Sequence, residues 1–230
     1  MAAPLPLTHV QIREVLTICG LECDLALAGR VETYLRFLAK WNERMNLTGI
    51  LAPLDVLKIL LAESFLAAVL VGNPKGPIID VGSGAGFPGL AMAVYRPDLD
   101  LILLEPRRKR AAFLAALRRE LGLVRVDVWS RTLEACSAED FSKLPTVLTM
   151  RAVGAIAHVV EVGTRFFQGS GTVLLFSTTQ SAEKTMNGVK GVDWQVPKPI
   201  PWNPVHLILL GQARGDVPRE TSKSNPHALS

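Results

Sequence analysis

Gly82, Gly84, Gly86 and Gly89 stand between two carboxylates, Asp80 in the apolar run "PIIDV" and Glu105 at the end of "LILLE". Glycine costs conformational entropy, so a cluster directly behind a strand marks a backbone that turns sharply or lets a ligand come close. In an open parallel sheet, ligands sit at the carboxyl ends of the strands. That geometry places Gly82, Ser83, Gly84 and Gly86 at a binding site, with Asp80 at the mouth of the loop and Glu105 ending the next strand.

Two cofactors compete for this arrangement. Gly84, Gly86 and Gly89 satisfy a dinucleotide fingerprint, and Glu105 follows at about the spacing that would hold a ribose hydroxyl. The register is poor, however: the strand ends at Val81, so Gly82 and Gly84 come first and the third glycine position falls on Phe87. A pyrophosphate also prefers bare N–H groups at a helix N-terminus to a neighbouring carboxylate. S-adenosylmethionine suits the site better, because its sulfonium and amino group are cationic and its ribose diol matches a bidentate carboxylate such as Glu105.

Residues 1–74 carry helical periodicity and form a helical cap. Asp24 caps a helix running to about Asn46, with Leu27, Val31, Tyr34, Leu35, Leu38 and Trp41 along one stripe, and Pro53 and Asp55 open the next helix. From Pro77 short aliphatic runs alternate with amphipathic segments, the texture of a doubly wound α/β sheet. The expected strands are Ile78–Val81, Leu101–Glu105, Val124–Ser130, Thr146–Met150 and Gly171–Ser177, with helices near Pro88–Val94, Arg107–Leu121 and Ala155–Phe167. Val192–Val196 and Val205–Leu210, separated by "PKPIPWNP", are expected as an antiparallel edge hairpin that closes a mostly parallel domain over residues 75–211. Residues 212–230 lack apolar periodicity and are expected to be a disordered tail.

Composition narrows the class further. The apolar stretch Val56–Gly72 is broken by Lys58, Glu63 and Ser64, so it reads as a buried helix and not a membrane span. The N-terminus lacks the basic region and apolar core of a signal peptide, which points to a soluble cytoplasmic protein. Cys19, Cys23 and Cys136 lack the companions of a zinc site and read as reduced core thiols, so no metal is expected. The net charge of +4 says little, but its distribution says more: Arg107, Arg108, Lys109 and Arg110 form one run, with Arg118 and Arg119 on the same helix. Of the tryptophans, only Trp41 in the cap is a candidate for base stacking.

"KWNERMNLT", "DVGSGAGFPGL", "LLEPRRKRAAFL" and "MRAVG" resemble, in order and spacing, the glucose-inhibited division protein B family, bacterial N7-guanine methyltransferases of small-subunit ribosomal RNA. The resemblance implies a class I methyltransferase sheet under an N-terminal helical cap, with S-adenosylmethionine as cofactor. It implies cofactor contacts at Gly82, Phe87, Thr132, Leu133 with its neighbour Glu134, and Arg151. Glu105 would take the ribose. Three places depart from the family pattern. Ile59 and Leu60 ahead of Glu63 and Ser64 stand where the family usually has Arg-His ahead of Asp-Ser, Ser177 and Thr178 replace a Lys-Gly, and Leu133 replaces an acidic residue, with Glu134 next to it.

The loop after the fourth strand begins Arg151-Ala152-Val153, without the polar-Pro-Pro-aromatic sequence used on exocyclic amines, and no cysteine stands there for attack on a pyrimidine. N7 of guanine has an in-plane lone pair and no proton to lose, so its methylation needs placement and exclusion of water but no general base. Asn46, Arg151 and Ser177 are the candidates to orient it. Arg107, Arg108, Lys109 and Arg119 are candidates for RNA phosphates. The expected partner is small-subunit ribosomal RNA or a partly assembled small subunit, bound by a monomer. A methyltransferase with another RNA or small-molecule acceptor, or a non-catalytic assembly factor keeping the cofactor pocket, remains the alternative.

Overall fold

A computed structural model describes residues 7–214. Three helical segments precede the sheet. α1 (His9–Ile18) begins at a capping box in which Thr8 and Gln11 satisfy each other's backbone N–H groups. α2 (Leu25–Met45) starts at Asp24, whose carboxylate accepts from Leu27 N at 2.6 Å, and ends at Asn46 in the left-handed region with φ 46°. Beyond it, α3 (Pro53–Asp55) leads through a π-helical stretch, Val56–Ala62, into α4 (Glu63–Leu70).

The sheet comprises β1 (Ile78–Val81), β2 (Leu101–Leu104), β3 (Val126–Trp129), β4 (Val147–Met150), β5 (Ser170–Thr178), β6 (Val192–Trp194), β7 (Lys198–Ile200) and β8 (Asn203–Arg214). Its order is β3-β2-β1-β4-β5-β8-β6, with β7 also paired to β8. The first five strands are parallel and β8 runs antiparallel to β5. The helices between them are α5 (Gly89–Tyr95), α6 (Arg108–Glu120), α7 (Ile156–Thr164) and α8 (Ala182–Gly188). Both faces of the sheet are covered, which is why β1, β2 and β4 are continuously apolar save for Asp80 and Thr149.

The expected antiparallel edge is present, with differences at its ends. The proline-rich "PKPIPWNP" is not merely a connection, because Lys198–Ile200 adds β7 to β8. β8 extends to Arg214, so Gln212, Ala213 and Arg214 are strand and not tail; the rest of the expected tail lies outside the described residues. β3 is shorter than expected because Val124 belongs to the turn before it, where the Arg118 guanidinium donates to the carbonyls of Leu123 and Val124 at 3.1 and 3.4 Å. One hydrophobic cluster joins the cap to the sheet: Ile12, Val31, Tyr34, Leu57 and Phe65 pack with Ile78, Leu90, Leu103 and Phe113.

Candidate active site

β1 and β4 are neighbours in space while β2 and β3 continue to the other side, so the strand order reverses between them. The carboxyl ends of the strands at such a point form a crevice. The turn Gly82–Gly86 lies at this point, with Gly82, Gly84 and Gly86 at φ +71°, +56° and +94°. These are conformations that side-chain-bearing residues rarely adopt.

Each glycine of the turn does a different job. A Cβ on Gly82 would stand 2.9 Å from Val153 Cγ2, and one on Gly86 would meet the Tyr34 hydroxyl, which itself donates to Ala85 O at 2.8 Å. Gly86 therefore docks the turn against the cap. Gly86→Ala is expected to destabilise the protein by about 1–2 kcal/mol and to lower its melting temperature, because a positive φ and a clash coincide. Unchanged thermal unfolding of that variant would contradict the packing role. Gly84 has no such neighbour: the nearest side-chain atom to a Cβ there would be Arg110 Nη1 at 3.8 Å.

Glu105 is buried and pre-oriented. Its Oε2 accepts from Gly84 N and its Oε1 from Arg107 N, both at 2.9 Å, so the carboxylate is locked to the turn and to the start of α6. Each oxygen keeps a further lone pair, enough for the two hydroxyls of a ribose.

Asp80 requires a correction. It does not stand at the mouth of the loop but beneath it, fully buried, with Oδ2 accepting from Gly89 N at 3.0 Å. A Cβ on Gly89 would sit 2.6 Å from Asp80 Cβ, so this glycine admits α5 to the carboxylate. Its Oδ1 has no hydrogen-bond partner, and burial raises the carboxyl pKa to about 7. A buried, under-satisfied carboxylate under a glycine turn, with the Glu105 charge as a minor contributor to its raised pKa, is a poor floor for a phosphate and a good one for a cation. The charge and geometry of these two carboxylates thus fit a cationic cofactor with a ribose, such as S-adenosylmethionine.

Other sequence-predicted cofactor residues divide in the same way. Ser83 is buried, its hydroxyl donating to Asp80 O at 3.0 Å, and the Phe87 ring packs against Tyr34 at 5.3 Å between centroids. The Leu133 side chain is in the core on the opposite face of the sheet, which leaves only its backbone for a ligand. Thr132 and Glu134 are exposed beside it, and Glu134, 3.4 Å from His158, has its pKa lowered, chiefly by hydrogen bonds from its own backbone N–H and the Thr132 side chain.

A second cleft, of ≈ 220 Å³, opens at the ends of β4 and β5 and is lined in part by Arg151, Phe176, Ser177, Glu63 and His206. At its base Glu63 is fully buried. Its Oε2 accepts from the Arg151 guanidinium at 2.8 Å, and its Oε1 lies 2.8 Å from both Asn203 Nδ2 and His206 Nδ1. Arg151 also donates to Ile59 O at 2.9 Å and lies over the Phe176 ring at 4.9 Å. The π-helical stretch explains the Ile59 contact: widening a helix by one residue per turn frees carbonyls, and those of Lys58 and Ile59 accept from Trp202 and Arg151. Ile59 thus contributes to the cleft through its backbone carbonyl.

The structure brings Arg151 and Ser177 together and leaves Asn46 apart. Asn46 is exposed, caps α2 through its backbone and does not line this cleft; Asn42 organises the loop instead, pairing with both the N–H and the carbonyl of Thr48 at 2.9 and 3.1 Å. Sequence reasoning singled out neither His206 nor Phe176 nor Asn203. A lone histidine beside "WNP" gives no local signal, since its partner Glu63 is far away in the chain.

Arg44, Met45, Arg107, Arg108, Lys109 and Arg110 line a third cleft, of ≈ 370 Å³, where the end of α2 meets the start of α6. None of these cations forms an ion pair among the described residues. Arg119 is not part of this cluster, because ten residues of helix carry it about 15 Å along the axis from Lys109. Trp41 is half-buried, stacked on Phe37 at 5.8 Å and edge-on to Phe113 at 5.7 Å, and it lines the adjoining cavity with Lys109.

A family model described as rRNA small subunit methyltransferase G matches residues 28–194. Among curated proteins, ribosomal RNA small subunit methyltransferase G of Sorangium cellulosum is 34% identical over 191 residues, covering 79% of this chain and 80% of that protein. The protein of the same name from Halorhodospira halophila is 39% identical over 147 residues, covering 63% of this chain and 66% of its own. Among solved structures, a predicted O-methyltransferase from Agrobacterium tumefaciens aligns with TM-score 0.53 at 20% identity, over 68% of this chain and 82% of that one. TYW2 of M. jannaschii in complex with AdoMet aligns with TM-score 0.51 at 12% identity, over 67% and 74%. At these identities the structural likenesses establish the class I methyltransferase fold.

Proposed function

This chain belongs to the rRNA small subunit methyltransferase G family, and we propose that it methylates N7 of one guanine in small-subunit ribosomal RNA with S-adenosylmethionine as donor. The observation that carries this reading is Glu105, fixed by two backbone N–H groups at the rim of a glycine turn floored by the buried Asp80. Bound there, S-adenosylmethionine supplies an electrophilic methyl group on a cationic sulfur. The chain's own residues bind, orient and exclude water. Glu105 holds the ribose, Asp80 supplies a buried negative charge, and the cleft at β4 and β5 receives the acceptor base.

That cleft has no cysteine, and its carboxylate is already paired with Arg151. N7 needs neither a nucleophile nor a base, so the lining suffices for in-line placement. We place Ser177 Oγ as the donor to guanine O6. Arg151, held by Glu63 and Ile59, is the rigid wall that carries Phe176. We take the protein to act in the cytoplasm, where its substrate is found, as a monomer on naked RNA or a partly assembled small subunit. No described helix is long and apolar enough to cross a membrane.

Mass mapping of small-subunit ribosomal RNA from a deletion strain tests the reading: loss of one N7-methylguanine supports it, and an unchanged modification profile excludes it. The cation cleft at the start of α6 makes a separate prediction. Reversing Arg108 or Lys109 to Glu is expected to weaken RNA binding by about tenfold each and to reduce the salt dependence by about one phosphate contact. Arg119→Glu, outside the cluster, is expected to do less. Equal effects at all three positions would show only a general field.

A further inference from the structure

Adenine carries the same N7 lone pair as guanine, so chemistry at N7 cannot tell the two apart. Guanine differs by its O6 acceptor, its N1–H and its 2-amino group. Resting on the reading above, the Ser177 hydroxyl alone selects poorly, since it can donate to guanine O6 or accept from adenine N6; an acceptor in the cleft for the donor edge of the base, opposite N7, makes the selection. Glu63, the only carboxylate lining the cleft among the described residues, cannot be that acceptor. It is fully buried beneath its own partners, Arg151 on Oε2 and Asn203 and His206 on Oε1, so neither oxygen is open to a base in the cleft.

His206 carries that capacity outward. It lies on β8 directly across from Thr178 at the end of β5, beside Ser177. Its Nδ1 is 2.8 Å from the buried Glu63 Oε1, and its side chain is 27% exposed to the cleft. Asn203 Nδ2 lies 2.9 Å from the same Nδ1, and both nitrogens converge on Glu63 Oε1; with the Nδ1 proton given to that carboxylate, a neutral ring keeps its lone pair on Nε2. Nε2 has no hydrogen-bond partner among the described residues. The Ser177 hydroxyl, which donates only over 3.4 Å to Thr178 O and can rotate away, and His206 Nε2 thus stand on neighbouring strands as a donor and an acceptor, the pair that O6 and the 2-amino group require.

We propose that His206 is a specificity residue of the methyl acceptor site: Glu63 orients it, and its Nε2 accepts a hydrogen bond from the guanine 2-amino group. It touches the base but takes no part in bond making.

The test pairs enzyme variants with an RNA whose target guanine is replaced by inosine, which lacks only the 2-amino group. With the wild type, inosine is expected to lower kcat/KM by about tenfold, the effect of one lost hydrogen bond with a buried group left unpaired. His206→Asn keeps a donor toward Glu63 but removes the outer acceptor. It is expected to methylate guanine RNA about tenfold less efficiently, to show no further loss with inosine, and to bind S-adenosylmethionine as tightly as the wild type. His206→Gln, whose terminal oxygen can replace Nε2, is expected to keep the discrimination. The proposal is overturned if His206→Asn retains the inosine penalty, if guanine methylation is unaffected, or if cofactor binding falls in parallel, which marks a structural role. A wild type that transfers no methyl group to the guanine RNA overturns the functional reading itself. One that methylates guanine and inosine equally overturns this inference alone.

Discussion

Glu63→Ala is expected to cost about 3–5 kcal/mol of folding stability, the largest effect of any single substitution at the site. Glu63 is the counter-charge of Arg151, whose side chain is only 14% exposed and whose pKa burial already lowers against the pull of the carboxylate. Removing the carboxylate leaves a guanidinium in low dielectric with one carbonyl partner, and strips Asn203 and His206 of their acceptor. In a chain of this size the loss corresponds to a melting temperature roughly 6–20 °C lower. The double variant Glu63→Ala with Arg151→Met removes both charges and is expected to recover much of the loss, because the penalty lies in the unpaired ion. If the double variant were as unstable as the sum of its parts, the two residues would not be coupled as described.

Asp80→Asn is expected to stabilise the protein at pH 8 while weakening its hold on the cofactor. Burial raises the folded-state pKa of Asp80 from 3.8 to about 7. Below pH 3.8 both folded and unfolded chains hold the proton, and the stability contributed by the neutral group is fully present. Between pH 3.8 and about 7 the unfolded chain releases its proton first, so stability falls as pH rises, and it levels off above 7. An asparagine keeps the contact with Gly89 N and carries no charge, a gain on the order of 4 kcal/mol at pH 8 that is reduced by leaving its amide N–H groups where Oδ1 has no partner. Thermal unfolding against pH reads this directly: the wild type should lose stability across that window while Asp80→Asn stays level. A variant less stable than the wild type at pH 8 would contradict it. The expected drop in cofactor affinity marks the buried charge as a binding device kept at the expense of stability.

What could be read ahead of the structure was local. The glycine cluster, the aliphatic strands and Glu105 at a strand end are signals within a few residues, and each stands where the residues implied. The aliphatic runs also carried the doubly wound sheet, because strands covered on both faces lose their alternation. What could not be read was assembled across the chain. Glu63 stood out in the sequence only as a polar break in an apolar stretch and beside a departure from the family pattern, and its contacts include His206, 143 residues away. Asn46 shows the limit of a local signal: asparagine after a helix is equally a cap and a ligand, and here it is the cap. Asp80 stands at the predicted strand end, but whether it faces the ligand or the core depends on how closely α5 packs through Gly89. β8 outruns its apolar run because Gly211 lets Val192 and Trp194 close on the strand, a contact between distant residues.

The turn between Asp80 and Glu105 as a seat for a cationic methyl donor underlies every step above, and calorimetric titration measures it most directly. The wild type should bind one equivalent of S-adenosylmethionine and no nicotinamide dinucleotide. Glu105→Ala, which loses the ribose contact and frees Gly84 N and Arg107 N, should weaken that binding at least about tenfold. Preferential binding of the dinucleotide, or an affinity for S-adenosylmethionine unmoved by Glu105→Ala, would contradict it.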